Sequence, residues 1–300
     1  MQLHHLHSGD LQDTLARGEL RIRVGPYIYR MQSNLKPVAQ GLATLYADFP
    51  LADTGEFVDF DVALVQRGLR QKLNHRCEFL FDRQNPFETI ATEQSYAFME
   101  WGMNWCVSLH SNEYLKLHAA VVARNGRGVI MPGVPGAGKS TLCAALALQG
   151  WRVLSDEHAL IPPESTDLVP LCRPVSLKNE SIDAIRAFSN ECVLGPTSSN
   201  THKGVVAHMK ADLCADSHAA NLVPAYAMVF PQYDPQATQQ LAPRAKTASF
   251  ILAAYHSFNY SLMGEAGFDA MHHLLDNVHC YDLTYHDLNW AVDAMQQVLE

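Results

Sequence analysis

An α/β fold is what this sequence predicts, with a smaller α+β module ahead of the main unit, and three observations carry that reading. A glycine-rich loop at residues 133–141 sits between an apolar run with strand character and a run of strong helix formers. Around that loop, strand patterns interleave with helix patterns. Ahead of it, residues 1–112 hold strand patterns and a helix pattern of their own, which sets the expected division at 1–112 for the module and 113–300 for the main domain.

Taken in order, "LRIRVGPYIYR" (20–30) alternates apolar and polar residues as a half-buried strand does, with a turn at Gly25-Pro26. "EFVDFDVAL" (56–64) and "CEFLFD" (77–82) predict further strands. Tyr96, Met99, Met103, Cys106 and Val107 recur at helical spacing and predict a helix leading out of the module. "LHAAVVAR" (117–124), the turn pair Asn125-Gly126 and "GVIMPG" (128–133) predict a hairpin whose second strand runs into the loop. "KSTLCAALALQG" (139–150) predicts a helix closed by Gly150, and "WRVLSD" (151–156) a buried strand. From about 165 to 245, short apolar runs mix with Pro, Ser and Asn clusters and no element stands out. Beyond them "TASFILAAYHSF", "GFDAMHHLLDNV" and "HDLNWAVDAMQQVLE" predict helices, and "CYDLTY" a strand.

Composition narrows the function classes. The 300 residues are 48% hydrophobic and 18% charged, enough to bury a substantial core without metal or disulfide staples. With 22 Lys and Arg against 31 Asp and Glu, the formal net charge is -9, which argues against nucleic acid or an anionic membrane as partner. Seven cysteines, at 77, 106, 143, 172, 192, 214 and 280, form no Cys-x-x-Cys pair and read as reduced thiols. The start, "MQLHHLHSGDLQD", lacks a signal-peptide pattern, and no run approaches the roughly 20 apolar residues that cross a bilayer. A soluble cytoplasmic protein is the expectation.

Gly133, Gly138, Lys139 and Ser140 fill the Walker A pattern G-x-x-x-x-G-K-[ST], with Gly136 adding a flexible position. Its chemistry is that of nucleoside phosphates. Small residues let backbone N–H groups turn inward around phosphate oxygens, Lys139 reaches the terminal phosphates, and the Ser140 hydroxyl can bind Mg²⁺. The helix that begins there points its positive end at the same anions. The predicted nucleotide contacts are Gly133, Val134, Pro135, Gly136, Ala137, Gly138, Lys139, Ser140 and Thr141.

Asp156 follows Lys139 by only 17 positions (156 − 139), at the end of the strand after the loop's own helix. A helix of about ten residues advances ~15 Å and a strand of five or six returns about as far, so Asp156 and Glu157 come back to the level of the phosphates. A carboxylate there can take the proton of an attacking hydroxyl while its neighbour helps Ser140 hold the metal, an arrangement of kinases rather than of switch ATPases.

Together, "LHAAVV", "GVPGAGKSTL", "GWRVLSDEHALI", "RPVSLKNESI", "HKGVVAH" and "MEWGMNWC" resemble the HPr kinase/phosphorylase-like kinases, and within them the subgroup HprK-related kinase A. The resemblance implies a P-loop kinase core related to phosphoenolpyruvate carboxykinase, using ATP and Mg²⁺ to phosphorylate a serine of a protein or peptide, with homo-oligomers as a family habit. It places the catalytic base at Asp156, puts Glu157 where an Asp is usual, and matches a histidine of the strand before the loop with His118. The sequence departs from the parent pattern at Val134-Pro135, where the parents carry Asp-Ser, and at "VSLKN", which sets Ser176 at a metal-binding Glu position and Lys178 at an Arg. Those departures bear on reverse phosphorolysis and on a second metal contact. Lys203 in "THKG" is a further candidate phosphate contact.

Two other readings stay open: a small-molecule kinase of the shikimate or gluconate kind, and a nucleotide-sensing module that transfers nothing. The His4, His5 and His7 cluster reads as disordered surface rather than a metal site, and the tryptophans at 101, 105, 151 and 290 as packing residues.

Overall fold

The computed structural model describes residues 1–211 and 221–300, and every count below is of those residues; Cys214 lies outside them. The chain forms two compact units. One comprises Met1–Val107, Ser176–Asp183 and Cys192–Lys210, the other Ser108–Val175, Ala184–Glu191 and Ala211–Glu300. The first unit thus gathers two short stretches from the middle of the chain, within the region whose patterns are weakest.

The first unit begins with α1 (Ser8–Arg17), β1 (Leu20–Val24), β2 (Tyr27–Ser33), α2 (Lys36–Leu45), β3 (Phe60–Val65), α3 (Gly68–Leu73), β4 (Arg76–Phe81), β5 (Ile90–Ala91) and α4 (Ser95–His110). Its sheet runs in the order β1-β2-β3-β4-β5, with β2 and β3 parallel and the other neighbours antiparallel. The β1–β2 hairpin turns at Gly25, whose φ of 59° suits glycine. On α4 the carboxylate of Glu100 is buried, and it accepts hydrogen bonds from Tyr96 Oη at 2.6 Å and Tyr46 Oη at 3.1 Å. Trp101 and Trp105, one turn apart, both lie against Phe87, with ring centroids at 4.7 and 5.0 Å, as packing residues do. The amino terminus is ordered rather than loose: Leu3 is buried, and the exposed His4 lies 3.3 Å from Asp48 Oδ1.

The chain continues with β6 (Leu115–Arg124), β7 (Arg127–Pro132), α5 (Lys139–Leu148), β8 (Arg152–Ser155), β9 (His158–Ile161) and β10 (Asp167–Leu168). Next come β11 (Val175–Lys178), α6 (Glu180–Phe188), β12 (Ser198–Thr201) and β13 (Gly204–Met209), with the small sheet β11-β13-β12. The last elements are β14 (Val223–Tyr233), β15 (Gln240–Pro243), α7 (Lys246–Tyr255), α8 (Tyr260–Met263), α9 (Glu265–Asn277), β16 (His279–Tyr285) and α10 (Leu288–Gln297). No helix among the described residues is long and apolar enough to cross a membrane.

The second unit is built on a mixed sheet in the order β15-β16-β14-β7-β6-β8, with β9 also paired to β6. β7, β14 and β16 are mutually parallel neighbours, and β6 runs antiparallel to β7. β8 in turn runs antiparallel to β6, and hence in the direction of β7. The carboxyl ends of β7, β8, β14 and β16 therefore leave the sheet along one edge, the place where α/β proteins gather their ligands. The β6–β7 hairpin closes through Asn125 and Gly126, with φ of 54° and 73°, the turn that an Asn-Gly pair favours. Odd-numbered residues of β6, from Leu115 to Ala123, share a core with Ala253 of α7 and Ala270, Met271 and Leu274 of α9. Because side chains alternate along a strand, the even-numbered ones face the other way, and α5 also packs on β6.

Candidate functional site

At the end of β7 the chain enters the glycine loop. Lys139, the first residue of α5, is buried, and its Nζ donates to the carbonyls of Gly133 at 2.7 Å and Val134 at 3.1 Å. Gly136 and Gly138 both have φ of 90°, a conformation that a side chain strains. A Cβ on Gly138 would also collide with Tyr285 Oη, whereas one on Gly136 would meet nothing within 4 Å. The ends of β14 and β16 support the loop from below: Tyr233 N–H donates to Ala137 O and Tyr285 Oη donates to Gly138 O, each at 3.0 Å. Burial first, then the neighbouring Tyr233, pushes the Tyr285 hydroxyl up, so it stays a donor. Residues 134–136 are exposed, leaving the crest of the loop open.

The carboxylates lie across one strand from the loop. β6 pairs with Pro132 through Ala119 on one side, and with Ser155 through Val121 and His158 through His118 on the other. Those last two pairings keep one register, so Asp156 and Glu157 sit beside Ala119 and Ala120 as a short interruption between β8 and β9. Ala119 N–H donates to Glu157 O at 3.3 Å there. Gly133 and the carboxylate pair thus flank β6 at the same level, on strands ~10 Å apart. Ser155 Oγ accepts the N–H groups of Glu157 and His158 at 3.3 and 3.0 Å and fixes the bend. Asp156 is 4% exposed. Its charge is felt on α5: the Cys143 thiol is pushed well up, by burial foremost and then by Asp156. Glu157 Oε2 lies 3.3 Å from His118 Nε2, with both side chains partly open to solvent.

Residue patterns do not announce the rest of the site. His158 is buried, with Nε2 2.8 Å from Ser108 Oγ; burial foremost holds its pKa down to about 3, with Glu157 opposing and Arg173, Lys116 and His118 adding. The ammonium of Lys116, on the same face of β6, donates to Ser108 O at 2.8 Å and to Ser111 O; burial lowers its pKa to about 8. Phe258 packs against the rings of His118 and His158, at 5.7 and 5.0 Å. It follows α7 in a stretch that the sequence assigns to a helix, whereas α7 ends at Tyr255 and residues 256–258 run beside β6. A helical pattern cannot reveal that the next residues add a bridge to a distant strand.

The loop fits a nucleoside polyphosphate: a buried ammonium, an open crest, a glycine whose Cβ a buttressing tyrosine would exclude, and the first turn of α5 with its outward N–H groups. Among the described residues, no group of three or more His, Cys, Asp and Glu stands ready to hold a metal ion. Ser140 with Asp156 or Glu157 suits Mg²⁺, which takes one or two carboxylates and draws its other ligands from phosphate and water. Lys178 and Lys203 belong to the first unit, whereas the glycine loop belongs to the second. They are neighbours through Asn179, whose Nδ2 donates to Lys203 O at 3.2 Å and whose Oδ1 accepts from Val205 N–H at 3.0 Å.

A family model described as SynChlorMet cassette protein ScmC matches residues 91–168, a stretch that includes the glycine loop and Asp156. Among solved structures, the chain is similar to the Hpr(Ser) kinase/phosphatase from Coxiella burnetii, at 12% identity and a TM-score of 0.28, over 61% of this chain and 94% of that one. No curated protein matches.

Proposed function

We propose that the chain is an ATP-dependent phosphotransferase of the HPr-kinase type that places the γ-phosphate on a hydroxyl, a serine of a protein or peptide. The observation that carries this reading is the pairing of Gly133 and Asp156–Glu157 on the two flanks of β6 at one edge of the sheet. A nucleotide donor and an acceptor-side carboxylate need that separation: the γ-phosphate occupies the gap between them.

In this reading residues 133–141 hold the polyphosphate, and Lys139 leaves the carbonyls of Gly133 and Val134 to bind its terminal oxygens. Ser140 and Glu157 hold Mg²⁺, which when bound neutralises developing charge on the phosphates. Asp156 accepts the acceptor's proton as its oxygen bonds to the γ-phosphorus and ADP leaves. His118 orients Glu157 across their 3.3 Å contact. The assignment of Lys178 and Lys203 as phosphate contacts comes from the sequence resemblance alone.

Purified protein incubated with γ-labelled ATP, Mg²⁺ and a lysate of its host tests the reading, with mass spectrometry of the labelled species. A labelled protein serine supports it. A labelled metabolite would move the function to a small-molecule kinase, and nucleotide binding with no label would make it a sensing module.

A further inference from the structure

His256 stands at the foot of the glycine loop, where neither the motif nor the resemblance places a residue. β7 leaves β6 at the Ala119–Pro132 pair to enter the loop, and the place beside β6 that it vacates is taken by residues 256–258. Leu117 bridges Ser257 there, His118 N–H donates to His256 O at 2.7 Å, and Phe258 N–H donates to Lys116 O at 2.9 Å. The Leu117–Ser257 bridge sets His256 opposite His118, one strand position from the Ala119–Pro132 pair, so His256 lies ~3.4 Å along the sheet from Pro132. Residues on either side of the Leu117–Ser257 bridge point opposite to it. This puts His256 on the face of His118 and Phe258, whose rings touch, and away from the core that holds Leu117. That is also the face on which α5 begins with Lys139.

His256 is more than nine-tenths buried, and its Nε2 is buried and makes no hydrogen bond among the described residues. A buried polar nitrogen without a partner costs stability, and such groups in folded proteins call for an explanation. Burial foremost, then the charge of Lys139 and then that of His118, lower the pKa of His256 and keep the ring neutral beside the loop's ammonium. A neutral ring can donate an N–H to an anion without adding a second cation to the loop.

We propose that His256 is a further nucleotide-binding residue, whose Nε2–H donates to an oxygen of the γ-phosphate once Lys139 has moved from the loop carbonyls to the phosphates. The inference rests on the proposed function and adds a contact that tells a triphosphate from a diphosphate.

The test is binding of ATP and of ADP, each with Mg²⁺, to the full chain and to His256→Ala and His256→Gln. Loss of one hydrogen bond to a charged group should weaken ATP by about tenfold in His256→Ala and leave ADP within about twofold, and glutamine should restore most of the loss. Equal weakening of ATP and ADP, or no weakening of either, overturns the proposal and leaves the kinase reading standing. Wild-type protein that binds neither nucleotide overturns both. If His256→Ala lacks a cooperative thermal transition, ¹⁵N-histidine spectra of the wild type decide: the His256 Nε2 signal should shift with a non-hydrolysable ATP analogue and not with ADP, and its failure to do so contradicts the proposal.

Discussion

His118 Nε2 lies 3.3 Å from Glu157 Oε2, joining β6 to the carboxylate pair on its side away from the glycine loop. Both partners are partly exposed, so the contact contributes little to stability. Its use is positional. His118→Asn should leave the thermal midpoint within about 2 °C and ATP affinity within about threefold, while the phosphoryl-transfer rate falls by about tenfold or more. Transfer rates and melting curves on the same preparation check this.

Gly138 and Gly136 share a φ of 90°, yet their surroundings differ, and that difference is testable. Alanine at either position pays left-handed strain of about 1–2 kcal/mol. At 138 the new methyl also meets Tyr285 Oη and closes to 3.0 Å from Tyr233 Cβ. Gly138→Ala should therefore abolish nucleotide binding and lower the melting temperature more than Gly136→Ala. Calorimetry and nucleotide titration read both effects.

Lys139→Met removes the ammonium that donates to the loop carbonyls of Gly133 and Val134, and with it the cation for the phosphates. Nucleotide affinity and transfer should drop together, by about two orders of magnitude or more. Unchanged affinity in a direct titration would place the phosphates elsewhere.

His158 links the site to acid stability. Its folded pKa, about 3, lies below the value near 6.5 of an exposed imidazole. The unfolded chain therefore binds the extra proton first, so the folded state loses stability as pH falls from about 6.5 towards 3, at up to about 1.4 kcal/mol per pH unit. Above pH 6.5 the ring is neutral in both states and contributes no slope. His158→Gln, which keeps a hydrogen-bonding partner for Ser108, should flatten the wild-type curve over that window when denaturant midpoints are followed against pH.

The elements nearest the site were the legible ones. Asn125-Gly126, the buried apolar runs of β6 and β7, and the Ala- and Leu-rich α5 each obey one local rule, and the structure forms them where those rules put them. The level of Asp156 also followed from helix and strand lengths. What stayed hidden depends on distant pairing. No local pattern tells that β6 lies between the loop and the carboxylates, that residues 256–258 occupy the place β7 vacates, or that Tyr285 fills the space under Gly138. The stretch from 165 to 245 was unreadable only in part for a related reason: β10, β11, β12 and β15 have two to four residues each, too few for a period to emerge, whereas α6, β13 and β14 are longer and their patterns are broken up by the surrounding Pro, Ser and Asn.

The most direct test is Asp156→Asn, a change that keeps shape and removes the proton acceptor. ATP affinity should stay within about threefold of wild type while the rate of phosphoryl transfer falls by about 10²–10⁴-fold. Transfer at the wild-type rate would contradict the account.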